Sequence, residues 1–90
     1  METIDTILDF LRREGRLTEL AVSPSGFVFD PRSGQSYTLN PTGVFFLTQL
    51  RDGGDAATAA SAAAEQFGVS CALTRGAVEG FVRQLKRVLA

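Results

Sequence analysis

The sequence predicts an α+β fold: a small three-stranded antiparallel meander, then a bundle of three helices, with one further helix ahead of the meander. Three observations predict it. Residues 17 to 40 carry short apolar runs split by turn signals, as strands of a meander do. From Pro41 onward apolar residues recur at helical spacing, and two breaks, Asp52-Gly53-Gly54 and Gly68, divide them into three segments. Ahead of the meander, Ile4, Ile7, Leu8 and Leu11 recur at that same spacing.

The first helix, over residues 4 to 14, has Asp5 and Asp9 early and Arg12 and Arg13 late, an order that complements the helix dipole, and it ends near Gly15. The first strand covers residues 20 to 22 and breaks at Ser23-Pro24-Ser25-Gly26. The second covers residues 26 to 30 with Phe27, Val28 and Phe29, and the third residues 35 to 39. Between them lies Asp30-Pro31-Arg32-Ser33-Gly34, in which Asp30 accepts hydrogen bonds from following amides, Pro31 fixes its own φ and Gly34 supplies a positive φ.

Asn40 directly before Pro41 reads as a helix N-cap with proline at the first helical position, where a missing N–H costs nothing. That helix carries Val44, Phe45, Leu47 and Leu50 and stops at Asp52-Gly53-Gly54. Asp55 caps an alanine-rich helix running to about Phe67, and Ser70 or Thr74 caps the last one.

The last helix carries two neighbouring apolar stripes. Leu73, Ala77, Phe81, Leu85 and Val88 form one, and Val78, Val82 and Leu89 form the other. Together they are wider than the roughly 100° that a one-sided core contact uses. The expectation is that the first stripe meets the core and the second is a partner surface. The alternative is that the N-terminal helix folds back and covers the second.

Composition narrows the function. Ninety residues, 44% of them hydrophobic, make one folded domain, read here as an amphipathic helix over residues 1–16 and a domain over residues 17–90. Nine basic residues against ten acidic ones leave a net charge of −1, which argues against a partner that is nucleic acid. Histidine is absent and Cys71 is the single cysteine, which removes serine–histidine and cysteine–histidine nucleophiles, almost every zinc site and any internal disulfide. Neither an enzyme nor a cofactor is expected. Gly53-Gly54 lacks the Lys-Ser/Thr of a phosphate loop and reads as a helix terminator. No apolar run approaches the roughly 18 residues of a membrane span, and none follows the plan of a signal peptide, so a cytoplasmic protein is expected.

The residues Val28-Phe29-Asp30-Pro31, Ser33-Gly34, Tyr37-Thr38-Leu39-Asn40 and Thr42-Gly43, followed by three helices, resemble the PqqD family. The most specific part is Leu39-Asn40-Pro41-Thr42-Gly43 with the later Asp52-Gly53-Gly54 break. The resemblance implies a winged helix-turn-helix-like architecture and a peptide chaperone. Such a domain holds the leader segment of a ribosomally made precursor peptide for a modifying enzyme, of radical SAM or ATP-grasp type. It further implies that the leader adds as a strand to the third strand, in the groove between that strand and the last helix. Those elements correspond here to Gln35, Ser36, Tyr37, Thr38 and Leu39, and to Val78, Val82, Leu85 and Leu89.

Tyr37 either packs in the core or lines that groove, and the sequence leaves both open. A charge at Val82 is expected to block the groove, and one at Phe81 to unfold the domain. Two other classes stay in view. One is a winged-helix DNA-binding protein, for which the last helix carries Arg75, Arg83, Lys86 and Arg87 against Glu79. The other is a structural module that forms a dimer through the N-terminal helix.

Overall fold

Each helix begins where the sequence offers a side-chain acceptor for otherwise unpaired amides. In a computed structural model describing residues 3–89, Thr3 Oγ1 accepts from the Thr6 amide at 3.1 Å and starts α1 (Ile4–Arg13). Asn40 Oδ1 accepts from the Gly43 amide at 2.8 Å and starts α2 (Pro41–Arg51). Asp55 Oδ1 does the same for Thr58 at 2.7 Å and starts α3 (Ala56–Phe67). Of the two residues expected at the start of α4 (Cys71–Leu89), Ser70 is the cap, its Oγ accepting from the Leu73 amide at 3.2 Å. Thr74 instead lies buried in the first turn of α4 and donates to the Ala60 carbonyl at 2.8 Å, tying α4 to α3. The outer limits of the two expected spans, at Met1 and at Ala90, lie outside the described residues.

Between α1 and α2 the chain forms one antiparallel sheet in the order β1 (Ala21–Val22), β2 (Phe27–Asp30), β3 (Gln35–Thr38), which is the expected meander. Among the described residues the fold is therefore four helices and a three-stranded sheet, α+β as read from the sequence. The strands are shorter than expected. Gly26 shows why at one end, since its φ is +100° and an added Cβ would sit 2.3 Å from the Leu39 carbonyl oxygen. That close approach, with the Leu39 amide donating to the Gly26 carbonyl at 2.7 Å, closes the sheet just beyond β2 and β3.

Alternation along β2 turns Val28 and Asp30 inward and leaves Phe27 and Phe29 exposed. Val28 joins a single core with Leu17 and Leu20 from the loop after α1 and with Phe46, Leu47 and Leu50 from α2. Ala59, Ala60 and Ala63 of α3 lie at its centre, small enough to let α3 and α4 approach closely. The apolar stripe of α1 belongs to this same core, and α1 packs on α4.

Two arginines of the N-terminal segment close helix ends. Arg12 Nη2 donates to the carbonyls of Leu50, at 2.9 Å, and of Gly54, at the C-terminus of α2. Arg16 is buried and holds the buried Asp30 in a bidentate pair, at 3.2 Å through Nη1 and 2.8 Å through Nη2. Its Nε donates to the Leu89 carbonyl, at 2.9 Å, in the last turn of α4. Asp30 also accepts from the Arg32 amide at 3.1 Å and the Ser33 hydroxyl at 3.0 Å. The Arg16 guanidinium holds the Asp30 carboxyl below its ordinary 3.8, against burial, with help from Ser33 and Arg32.

Three outcomes follow for stability. Asn40→Ala is expected to cost about 1 kcal/mol in urea unfolding, the usual loss of an N-cap. Asp30→Ala, which takes the bidentate partner from the buried Arg16 and leaves it only Glu19, at 3.6 Å, as a counter-charge, is expected to cost about 3 kcal/mol in the same measurement. Because folding depresses the Asp30 pKa, the stability it contributes is present above the ordinary 3.8 and is lost as pH falls through the folded value. An NMR carboxyl titration of Asp30 should accordingly show its midpoint below 3.8.

Candidate functional site

β3 is an edge strand, paired with β2 on one side and open on the other. Which of its groups are free follows from the alternation of an antiparallel ladder. The Leu39 amide points at Gly26, so the Tyr37 amide points at Val28, its partner in register, and the N–H and C=O of Ser36 and Thr38 face the open edge. The Gln35-Ser36-Tyr37-Thr38 run has no charge and no proline, the devices that usually blunt an exposed edge.

The side chains alternate the other way. Ser36 and Thr38, opposite Phe29 and Phe27, stand on the outer face of the sheet and are exposed. Tyr37, opposite the buried Val28, points inward and is half-buried, with its hydroxyl donating to Gln35 Oε1 at 3.0 Å. The ring packs on the rim of the core and lines the opening beside it, so both positions left open for Tyr37 describe it.

That opening is an apolar cleft of about 190 Å³ between β3 and the C-terminal half of α4. Leu20, Val28 and Leu47 form its floor, and Tyr37, Thr38 and Leu39 form one wall. The other wall is α4, through Phe81, Gln84, Leu85, Val88 and Leu89. No charged side chain lines it, and the nearest α4 charge in contact is Arg87, whose Nη1 donates to Gln84 Oε1 at 3.5 Å.

The expected helix side of the groove needs correction. Leu85 and Leu89 do line the cleft, but Val78 and Val82 do not: both are 0% exposed and belong to the core. The reason is that α3 and α1 both pack on α4: Thr74, on the same face as Val78, bonds the Ala60 carbonyl of α3, and Ile4, Ile7, Leu8 and Leu11 of α1 join the core, so the stripe read as a partner surface is covered. Of the stripe read as core, Leu85 is buried and the other four residues are left at the surface. Phe81 and Val88 are half-buried, Ala77 is exposed and Leu73 is 70% exposed. The Phe81 ring is held at the cleft by Phe46, the ring centres 5.8 Å apart. Val82 is therefore core, and Phe81 stands at the cleft.

Sequence reasoning thus missed Phe81, Gln84 and Val88. A signal for them existed, since the strongly amphipathic first helix needs an apolar partner, and Thr74, Val78, Val82, Leu85 and Leu89 repeat at the spacing of one packed helix face.

Chemically the site offers free backbone hydrogen-bonding groups beside an apolar cleft. Among the described residues no cluster of histidine, cysteine, aspartate and glutamate has the make-up of a metal site. Cys71 is exposed at the start of α4, with its Sγ 3.9 Å from Ser61 Oγ and away from the cleft lining. Among the described residues no helix is long and apolar enough to cross a membrane.

Comparison with curated proteins and with solved structures returned no match in either case. Residues 26–88, which hold β2, β3 and the three helices after them, match the family described as Coenzyme PQQ synthesis protein D (PqqD). That match supports a role in a biosynthetic pathway, and on it the chain belongs to the PqqD family.

Proposed function

We propose that this chain is a non-catalytic peptide-binding protein, a peptide chaperone that captures the leader segment of a ribosomally made precursor as a fourth strand on β3. It then presents that peptide to a modifying enzyme, of radical SAM or ATP-grasp type. The observation that carries the reading is the uncharged open edge of β3 lying directly beside an apolar cleft. A strand added there pairs with the free groups of Ser36 and Thr38, while every second side chain turns into the cleft between Tyr37 and Phe81.

Magnitudes favour a role for both parts. Ordering a flexible peptide costs about 2–5 kcal/mol, whereas a micromolar complex needs a net of about −8 kcal/mol. A few edge hydrogen bonds, at about 1 kcal/mol net each, do not reach that figure alone. Apolar side chains entering the cleft supply the remainder, at about 25 cal/mol per Å² removed from water.

The test uses fluorescence anisotropy with labelled precursor peptides encoded beside the gene, and a random-sequence DNA duplex as a control. Phe81→Asp is expected to abolish peptide binding with the fold retained, whereas Val82→Asp unfolds the domain by placing a charge in the core. Thr38→Pro removes an outward N–H and is expected to weaken binding while leaving the β2–β3 ladder intact. Tyr37→Pro removes an inward one and destabilises the sheet. Nanomolar, sequence-selective binding of the duplex with none of the peptides would overturn the reading in favour of a DNA-binding protein.

A further inference from the structure

The apolar surface beside β3 does not stop where β3 stops. The cleft shares Phe81 and Gln84 with a second hollow bounded by Phe46 and Ala77. That hollow in turn shares Thr42, Phe46 and Ala77 with a third, where Phe67, Val69 and Leu73 are exposed. The three form one trough along α4 from Leu89 to Leu73, and no charged side chain lines any of them.

The trough is longer than the strand. From Leu73 to Leu89 the helix rises about 24 Å at 1.5 Å per residue. Four residues of β3 span about 13 Å. The excess accommodates about three or four extended residues.

Direction follows from the same geometry. The C-terminal end of α4 lies at the Asp30–Gln35 end of the sheet, through Arg16, while Asn40, just past Thr38, borders the second hollow beside Ala77. β3 and α4 therefore run in opposite directions. A peptide antiparallel to β3 runs along α4 from Leu73 towards Leu89, with its N-terminal part over the third hollow.

Resting on the strand-addition reading, we propose that the protein recognises its peptide at two places. The strand-paired segment lies on β3, and an apolar anchor about three or four residues N-terminal to it seats against Phe46, Phe67 and Leu73. The occupant is an extended peptide because the second place is continuous with the cleft and in line with the strand. Its chemistry is apolar at both anchors.

The probe is a displayed library of random peptides of about ten residues, longer than the roughly seven that span the trough at about 3.3 Å each. Peptides selected on the parent protein are expected to carry two apolar clusters, the first dispensable for folding of the protein but not for affinity. Leu73→Glu is expected to lower affinity about tenfold. Trimming the N-terminal cluster should give the same loss, and both changes together no more than either, as coupled partners behave. Leu73 is 70% exposed, so the variant folds as the parent does.

Selected peptides with a single cluster, or full affinity in Leu73→Glu, would overturn the second anchor. If Thr38→Pro still weakens binding in that case, strand addition stands and only the extension falls. If neither variant weakens binding, both fall. Sedimentation supplies a further overturning result, in which Leu73→Glu converts a dimer to a monomer without changing peptide affinity.

Discussion

The Arg16–Asp30 pair is the constraint on which the rest of the molecule depends. One guanidinium reaches Asp30 at the end of β2 and the Leu89 carbonyl in the last turn of α4, from the loop that follows α1. It joins three parts of the chain that no local rule brings together. Burying two charges is costly, and this pair offsets that cost by bidentate geometry and by the further bonds from Arg32 and Ser33 to the carboxylate. The result is a set distance between the sheet and the end of α4. Leu89 is also part of the α4 wall of the cleft, so the pair ties one end of that wall to the sheet.

The second consequence concerns α4, which is apolar on more than one side. α1 and α3 both pack on α4 and Val78 and Val82 are buried, so the flank carrying Phe81 and Val88 remains at the cleft. Arg12 adds to this by bonding the last carbonyls of α2, which orients α1 against the bundle. The match to the family spans residues 26–88 and so leaves out α1, Arg12 and Arg16. In this chain the segment ahead of the matched region supplies one of the helices that pack on α4.

An open, uncharged edge strand is ordinarily a liability, because it templates pairing with any extended chain. Here the hazard is limited by length. β3 has four residues, so backbone pairing alone is weak.

Features set by near neighbours were legible in the sequence, and those set by distant contacts were not. Asn40, Asp55 and Ser70 bond amides three residues on, and Asp30 accepts from Arg32 and Ser33 inside its own turn, so these starts and turns could be read from the residue types in order. The fold class followed, because period and breaks are local properties. The other role of Asp30, as partner of Arg16, required the sheet to be in place. The face of α4 required its neighbours: Phe81 and Val82 differ by one position, about 100° of rotation, and both are apolar, so only the packing of α1 and α3 on α4 decided which one is core. Tyr37 likewise alternates onto the inner face by local rule, yet it lines a cleft only because α4 stands opposite at a distance held by Arg16.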